Sequence, residues 1–164
     1  MLRKVRKPAA RNTGARYAII ASRYNARYVD SMLRGAEAVL RKSGAAAVEI
    51  VRVPGAFEVP AVVARLARRT QLRFNAILCL GVIIQGETEH ARLIAEAVTD
   101  ALAALQVECE LPIIHEVLLL RNTAQAEKRC IDAKHNRGGE AAQTAVDMAR
   151  LMTSLGENRS RACG

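Results

Sequence analysis

Four short apolar runs alternate along this chain with longer segments whose apolar residues recur at helical spacing, and that alternation leaves few folds open. Tyr17-Ala18-Ile19-Ile20-Ala21, a second run from about Val48 to Val53, a third from Ala76 to Val82 and a fourth from about Ile113 to Leu120 read as strands. Val29, Met32, Leu33, Ala36 and Leu40 mark a first helix, with Gly44 placed to end it. Val59, Val62, Val63 and Leu66 mark a second, with Pro60 tolerated in its first turn. Leu93, Ile94, Ala97, Val98, Ala101, Leu102 and Leu105 form the stripe of a third. Asn122 or Thr123 is placed to cap a short helix, and Ala141, Ala142, Ala145, Ala149 and Met152 mark the last. Apolar strands separated by helices build a parallel sheet covered on both faces. The expected fold is therefore α/β, a three-layer sandwich around a four-stranded parallel sheet.

In open sheets of this kind ligands bind beyond the carboxyl ends of the strands. Those ends are Ser22 to Asn25, Val53 to Glu58, Val82 to His90 and the stretch after Ile113. The third is the most informative. Gly81-Val82-Ile83-Ile84-Gln85-Gly86-Glu87-Thr88-Glu89-His90 runs from a buried strand through a polar glycine-containing turn into a helix. Backbone N–H groups at such a helix start favour an anion, and His90 adds a group that titrates near neutrality. Gly86, Glu87 and Thr88 form the candidate phosphate cradle. Glu87 and Glu89 oppose an anion unless their carboxylates turn outward, so a cation is wanted, with Arg129 and Arg137 as candidates. Tyr24 and Phe57 are aromatic residues in two of the other loops; each either stacks on a planar ligand or plugs the core. Glu58, at a helix start, is explained by the helix dipole alone, or else accepts from ligand hydroxyls. His115 and Glu116 interrupt an apolar strand, and a buried polar pair needs partners.

Charge narrows the classes of partner. The chain carries a formal +9, but six of those charges lie in residues 1–16, which hold Arg3, Lys4, Arg6, Lys7, Arg11 and Arg16 and no acid. The excess is thus mostly a basic arm. Contact between the arm and an anionic partner stays open. Nucleic-acid binding by the whole domain is not expected, because Tyr17, Tyr24, Tyr28, Phe57 and Phe74 are the only aromatics and supply no stacking platform. Cys79, Cys109, Cys130 and Cys163 lie far apart, and with His90, His115 and His135 they show no zinc-type spacing. No metal site is expected. No apolar run reaches the ~20 residues that span a bilayer, and the first residues lack the apolar core of a secretory signal. The cytoplasm is the expected location. With no internal repeat or linker, the expected organisation is an arm (1–16), one domain (17–156) and a short tail (157–164).

Arg23-Tyr24-Asn25, the segment VPGAFEVP at 53–60, LGVIIQGETEH at 80–90 and NRGGEAA at 136–142 together resemble the lumazine synthase family, from about Tyr17 to Leu155. The resemblance implies a flavodoxin-like fold. It also implies condensation of 5-amino-6-(ribitylamino)uracil with 3,4-dihydroxy-2-butanone 4-phosphate to 6,7-dimethyl-8-ribityllumazine, with no metal or organic cofactor. By the same resemblance Tyr24 stacks on the pyrimidine, while Ala56, Phe57 and Glu58 contact the pyrimidine and the ribityl chain. Val82, Ile83 and Ile84 read the ring through main-chain groups. Gly86, Glu87 and Thr88 surround the phosphate, His90 transfers protons, and Arg129 binds phosphate from across a subunit boundary. His115 falls where the family commonly has an aromatic wall of the pocket, usually phenylalanine. The chain also departs from the family at Tyr24, commonly phenylalanine, at Gln85, commonly basic, and in the loop 130–137, which lacks the usual glycine-rich wording. Family members form pentamers, and some close twelve pentamers into an icosahedral shell, so a homo-oligomer with sites between subunits is expected. A shell protein that binds a flavin or lumazine without efficient catalysis is the competing reading.

Overall fold

A computed structural model describes residues 14–162, with side chains described through residue 156. Residues 1–13 of the basic arm, and Cys163, lie outside the described residues. In chain order the elements are β1 (Arg16–Ser22), α1 (Ala26–Lys42), β2 (Ala47–Val53), α2 (Val59–Ala67), β3 (Ala76–Ile84), α3 (His90–Cys109), β4 (Ile113–Leu120), α4 (Thr123–Ala126), a π-helical turn (Glu127–Ile131) and α5 (Arg137–Ala162). All four strands pair in parallel, in the order β2-β1-β3-β4.

Pleating sends alternate side chains of each strand to opposite faces, and the two inner strands are apolar on both. Tyr17, Ile19 and Ala21 of β1 and Leu78, Leu80 and Val82 of β3 pack against Val29, Met32 and Ala36 of α1 and Ala141, Ala142 and Ala145 of α5. Ala18 and Ile20, with Ile77 and Cys79, pack on the other side against Val59 and Val63 of α2 and Val98 and Leu102 of α3. The expected three layers are therefore present. The helices end where local chemistry stops them. Gly44 takes φ +82° after α1, and Pro60 sits in the first turn of α2. Asn122 caps α4, its Oδ1 accepting the Gln125 N–H at 3.0 Å.

The strand order fixes where a ligand can enter. The chain runs from β1 out to β2 by way of α1, then returns past β1 to β3 by way of α2. The connections leaving β1 and β3 thus diverge to opposite faces and leave a crevice at their carboxyl ends, the switch point of a doubly wound sheet.

Candidate functional site

The crevice is held open by hydrogen bonds between the loops that line it. The turn after β1 is tied to the turn after β2 through Arg23 N–H to Val53 O (2.8 Å) and Tyr24 N–H to Pro54 O (3.1 Å). It is tied to β3 by Asn25, whose Nδ2 donates to Val82 O at 2.8 Å. Asn25 adopts φ +57°, a left-handed conformation that asparagine tolerates better than most residues. The Glu58 carboxylate accepts the Gly55 N–H at 2.8 Å and so closes the PGAFE turn on itself. These bonds aim the side chains of three separate loops into one cleft.

That cleft, about 450 Å³ in volume, is lined by Tyr24, Asn25, Gly55, Ala56, Phe57, Glu58, Val82, Ile83, Ile84, Gly86, Thr88, His90, Ala91 and Ile94. Every sequence-predicted site residue lines it except Glu87, His115, Arg129 and the alternative cation Arg137. Tyr24 and Phe57 are 74% and 61% exposed, so neither ring plugs the core. Leaving a large aromatic face such as that of Phe57 in water forgoes burial free energy of ~1.5–3 kcal/mol. Asn25, Gly55, Ala91 and Ile94 also line the cleft without having been expected there; for Asn25 the available signal is its position directly after Tyr24 in a strand-to-helix turn.

Beside Gly86 and Thr88, α3 starts at His90 with no side chain capping its first turn, so those N–H groups stay available to a ligand. The acid opposition is largely removed. Glu89 turns to Arg92 at 2.5 Å, and Arg92 also reaches Glu96 at 2.6 Å. Glu87 is exposed and does not line the cleft. No lysine or arginine among the described residues lines it either, so a bound phosphate dianion has no counter-charge within this chain's cleft.

The remaining predicted residues lie elsewhere in the chain. Arg129 projects, exposed, from the π-helical turn after α4. Arg137, the other candidate cation, is engaged by Glu116 (Nε to Oε1, 2.6 Å) and by Glu140 (2.7 Å). Glu116 is buried in β4; desolvation raises its pKa and the Arg137 guanidinium opposes that rise. His115 sits on β4 opposite Cys79, half-buried, with Nε2 at 2.9 Å from Thr99 Oγ1 of α3. It lines a separate cavity of about 200 Å³ with Leu102, Gln106 and Ile113, and burial lowers its pKa. The two polar residues that interrupt β4 thus find partners within the chain: Thr99 for one, Arg137 for the other.

A larger open groove, about 800 Å³, lies toward the far end of α2 around Arg65, Arg68 and Arg69. Two of its cations are already committed, Arg68 to Glu108 and Arg69 to Glu49. Among the described residues no group of three or more His, Cys, Asp or Glu side chains is placed to hold a metal ion. No helix of the described residues is long and apolar enough to cross a membrane. Burial pushes the Cys130 thiol up to about 11, and the Cys79 thiol is raised by the same cause.

Residues 14–153 match the family described as 6,7-dimethyl-8-ribityllumazine synthase. A protein of that name from Pyrococcus furiosus is 39% identical over 92% of this chain and 94% of its own length. Proteins of the same name from Xanthomonas euvesicatoria pv. vesicatoria and Stenotrophomonas maltophilia are similar too. The first is 37% identical over 88% of this chain and 94% of its own, and the second 38% over 86% and 91%.

Proposed function

The chain belongs to the 6,7-dimethyl-8-ribityllumazine synthase family, and from that premise we propose that the cleft between Tyr24, Phe57 and His90 is where its two substrates are joined. The enzyme is a transferase of riboflavin biosynthesis: it condenses 5-amino-6-(ribitylamino)uracil with 3,4-dihydroxy-2-butanone 4-phosphate. The observation that carries the placement is the convergence of two exposed aromatic rings, an uncapped helix start and a free imidazole on one crevice.

The pyrimidine lies between Tyr24 and Phe57, with main-chain groups of Val82, Ile83 and Ile84 reading its edge and Ala56 and Glu58 meeting the ribityl chain. The phosphate of the second substrate rests at Gly86, Glu87 and Thr88. The pyrimidine's amine attacks the ketone carbon, and the resulting carbinolamine loses water to give an imine. The phosphate ester's C–O bond then breaks, with loss of a carbon-bound proton and departure of inorganic phosphate. The second amine nitrogen closes the ring with loss of another water. Each step moves a proton, and His90 stands beside both the ring and the phosphate to carry it. General acid–base assistance of this kind contributes typically ~10²–10⁴-fold. Side-by-side binding of the two reactants contributes up to ~7–11 kcal/mol.

The cleft's lack of a cation supports a site completed by a second copy of the chain. Arg129 of a neighbouring subunit supplies the phosphate counter-charge, and His115 supplies the wall. The assembly is a homopentamer, with a sixty-subunit shell as its closed form, working in the cytoplasm on small-molecule substrates. The test is direct. Purified protein mixed with both substrates forms the lumazine, followed by its absorbance, well above a no-enzyme control in which the condensation proceeds slowly unaided. A rate equal to that control would reject the placement.

A further inference from the structure

The NRGG segment that opens α5 contains a side chain whose contacts exceed what a helix start requires. The Oδ1 of Asn136 accepts the N–H groups of Gly138 (2.9 Å) and Gly139 (3.3 Å), which caps α5. Its Nδ2 donates to Cys130 O at 2.7 Å and to Ser31 O at 3.2 Å. Cys130 directly follows Arg129 in the π-helical turn, and its side chain is buried. The carbonyl held by Asn136 therefore belongs to the residue that anchors Arg129 to the core. Ser31 lies on α1, so one carboxamide joins the turn, the first helix and the last.

The surroundings are shaped around that carboxamide. A Cβ on Gly35 would stand 2.7 Å from Asn136 Oδ1, and one on Gly138 would stand 1.9 Å from Met32 O. Serine or aspartate would cap the helix equally well. Aspartate has no donor, and the single oxygen of serine cannot stand at both positions, whereas the carboxamide sets an acceptor on the cap and a separate donor on Cys130 O. The π-helical turn continues α4 directly and is followed by no further helix until Arg137, and such turns are frequent at functional sites.

We propose that Asn136 is a positioning residue for the condensation, its Nδ2 fixing the turn from which Arg129 meets phosphate while its Oδ1 caps α5. The inference rests on the reading of Arg129 as the phosphate-binding cation.

Asn136→Asp and Asn136→Ser separate the two jobs, because each keeps an acceptor for the α5 cap and removes the Nδ2 that reaches Cys130 O. Steady-state lumazine formation is measured on the assembled enzyme, varying each substrate with the other saturating. In both variants KM for the butanone phosphate rises about tenfold, as expected when a binding group shifts by a fraction of an ångström. KM for the pyrimidine and kcat stay within about twofold, and adding either change to Arg129→Ala raises the phosphate KM no further. An unchanged phosphate KM in a folded variant overturns the proposal, as does an equal rise in both KM values. Loss of the folded state in both variants overturns it too, since the carboxamide would then serve the fold. If Arg129→Ala itself leaves the phosphate KM unchanged, the reading of Arg129 falls and the proposal with it. If Arg129→Ala raises that KM and the Asn136 variants do not, only the proposal falls.

Discussion

His90 opens α3 with an exposed imidazole and lines the same cleft as Tyr24, Phe57, Gly86 and Thr88. The work proposed for it is proton transfer, so His90→Ala should lower kcat by ~10²–10⁴-fold at most. The variant still runs above the unaided reaction, because the cleft goes on holding both substrates together. Stopped-flow absorbance on both proteins checks this; an undiminished kcat would remove His90 from the mechanism. His115 behaves differently, since its pKa is lowered from an ordinary 6.5 by burial. A depressed imidazole pKa means that the fold favours the neutral ring. The stability this contributes is complete above pH 6.5 and is lost as pH falls below it. Urea midpoints should therefore fall more steeply from pH 7 toward pH 5 in the unaltered protein than in His115→Gln. Parallel curves would show that the ring is not held neutral. At this scale much of the site was legible: Tyr24, Phe57, Gly86, Thr88 and His90 announce themselves as polar, glycine or aromatic residues at strand ends. Asn25 was not, because its contribution is a conformation and a single bond to Val82 O, and neither leaves a pattern in composition.

At the scale of elements, α1 and α5 meet backbone to backbone. Gly138 lies against the backbone of Met32, where an added Cβ would meet the carbonyl oxygen at 1.9 Å, so backbone must move to admit any side chain. Gly138→Ala should destabilise by at least ~1–3 kcal/mol, the usual cost of overpacking. Gly156→Ala, in the same helix with nothing within 4 Å of its added Cβ, should stabilise by about 0.5–1 kcal/mol. Denaturant titration of the two variants makes the comparison; equal effects would contradict the packing argument. The strands and major helices were readable because β1 and β3 are apolar on both faces and each helix carries a clear stripe. The strand order was not, since pairing depends on contacts between residues far apart in the chain. The π-helical turn was equally hidden. The sequence reads only as a short helix capped by Asn122 or Thr123, whereas the turn's contacts come from far along the chain: Arg27 on Glu127 at 2.8 Å and Asn136 on the Cys130 carbonyl.

For the whole molecule, the governing fact is a cleft with rings, an imidazole and amide donors but no cation, beside a chain whose exposed arginine at 129 lies outside that cleft. A phosphate binds weakly without a counter-charge, so Arg129→Ala should raise KM for the butanone phosphate by at least about tenfold, the ~1.5–3 kcal/mol typical of a charged hydrogen bond. The KM for the pyrimidine should hold. Sedimentation should find a pentamer or a multiple of pentamers, and a monomer with full activity would contradict a shared site. Subunit complementation tests the central claim most directly, because a site built from two chains can be rescued by mixing two defects. His90→Ala and Arg129→Ala subunits, each impaired alone, are co-expressed and the mixed assemblies assayed at a low concentration of the phosphate substrate. Random mixing leaves about a quarter of the interfaces with both His90 and Arg129 intact, and activity should recover toward that fraction of the unaltered enzyme. Activity no higher than the average of the two variants would contradict a cleft completed by its neighbour.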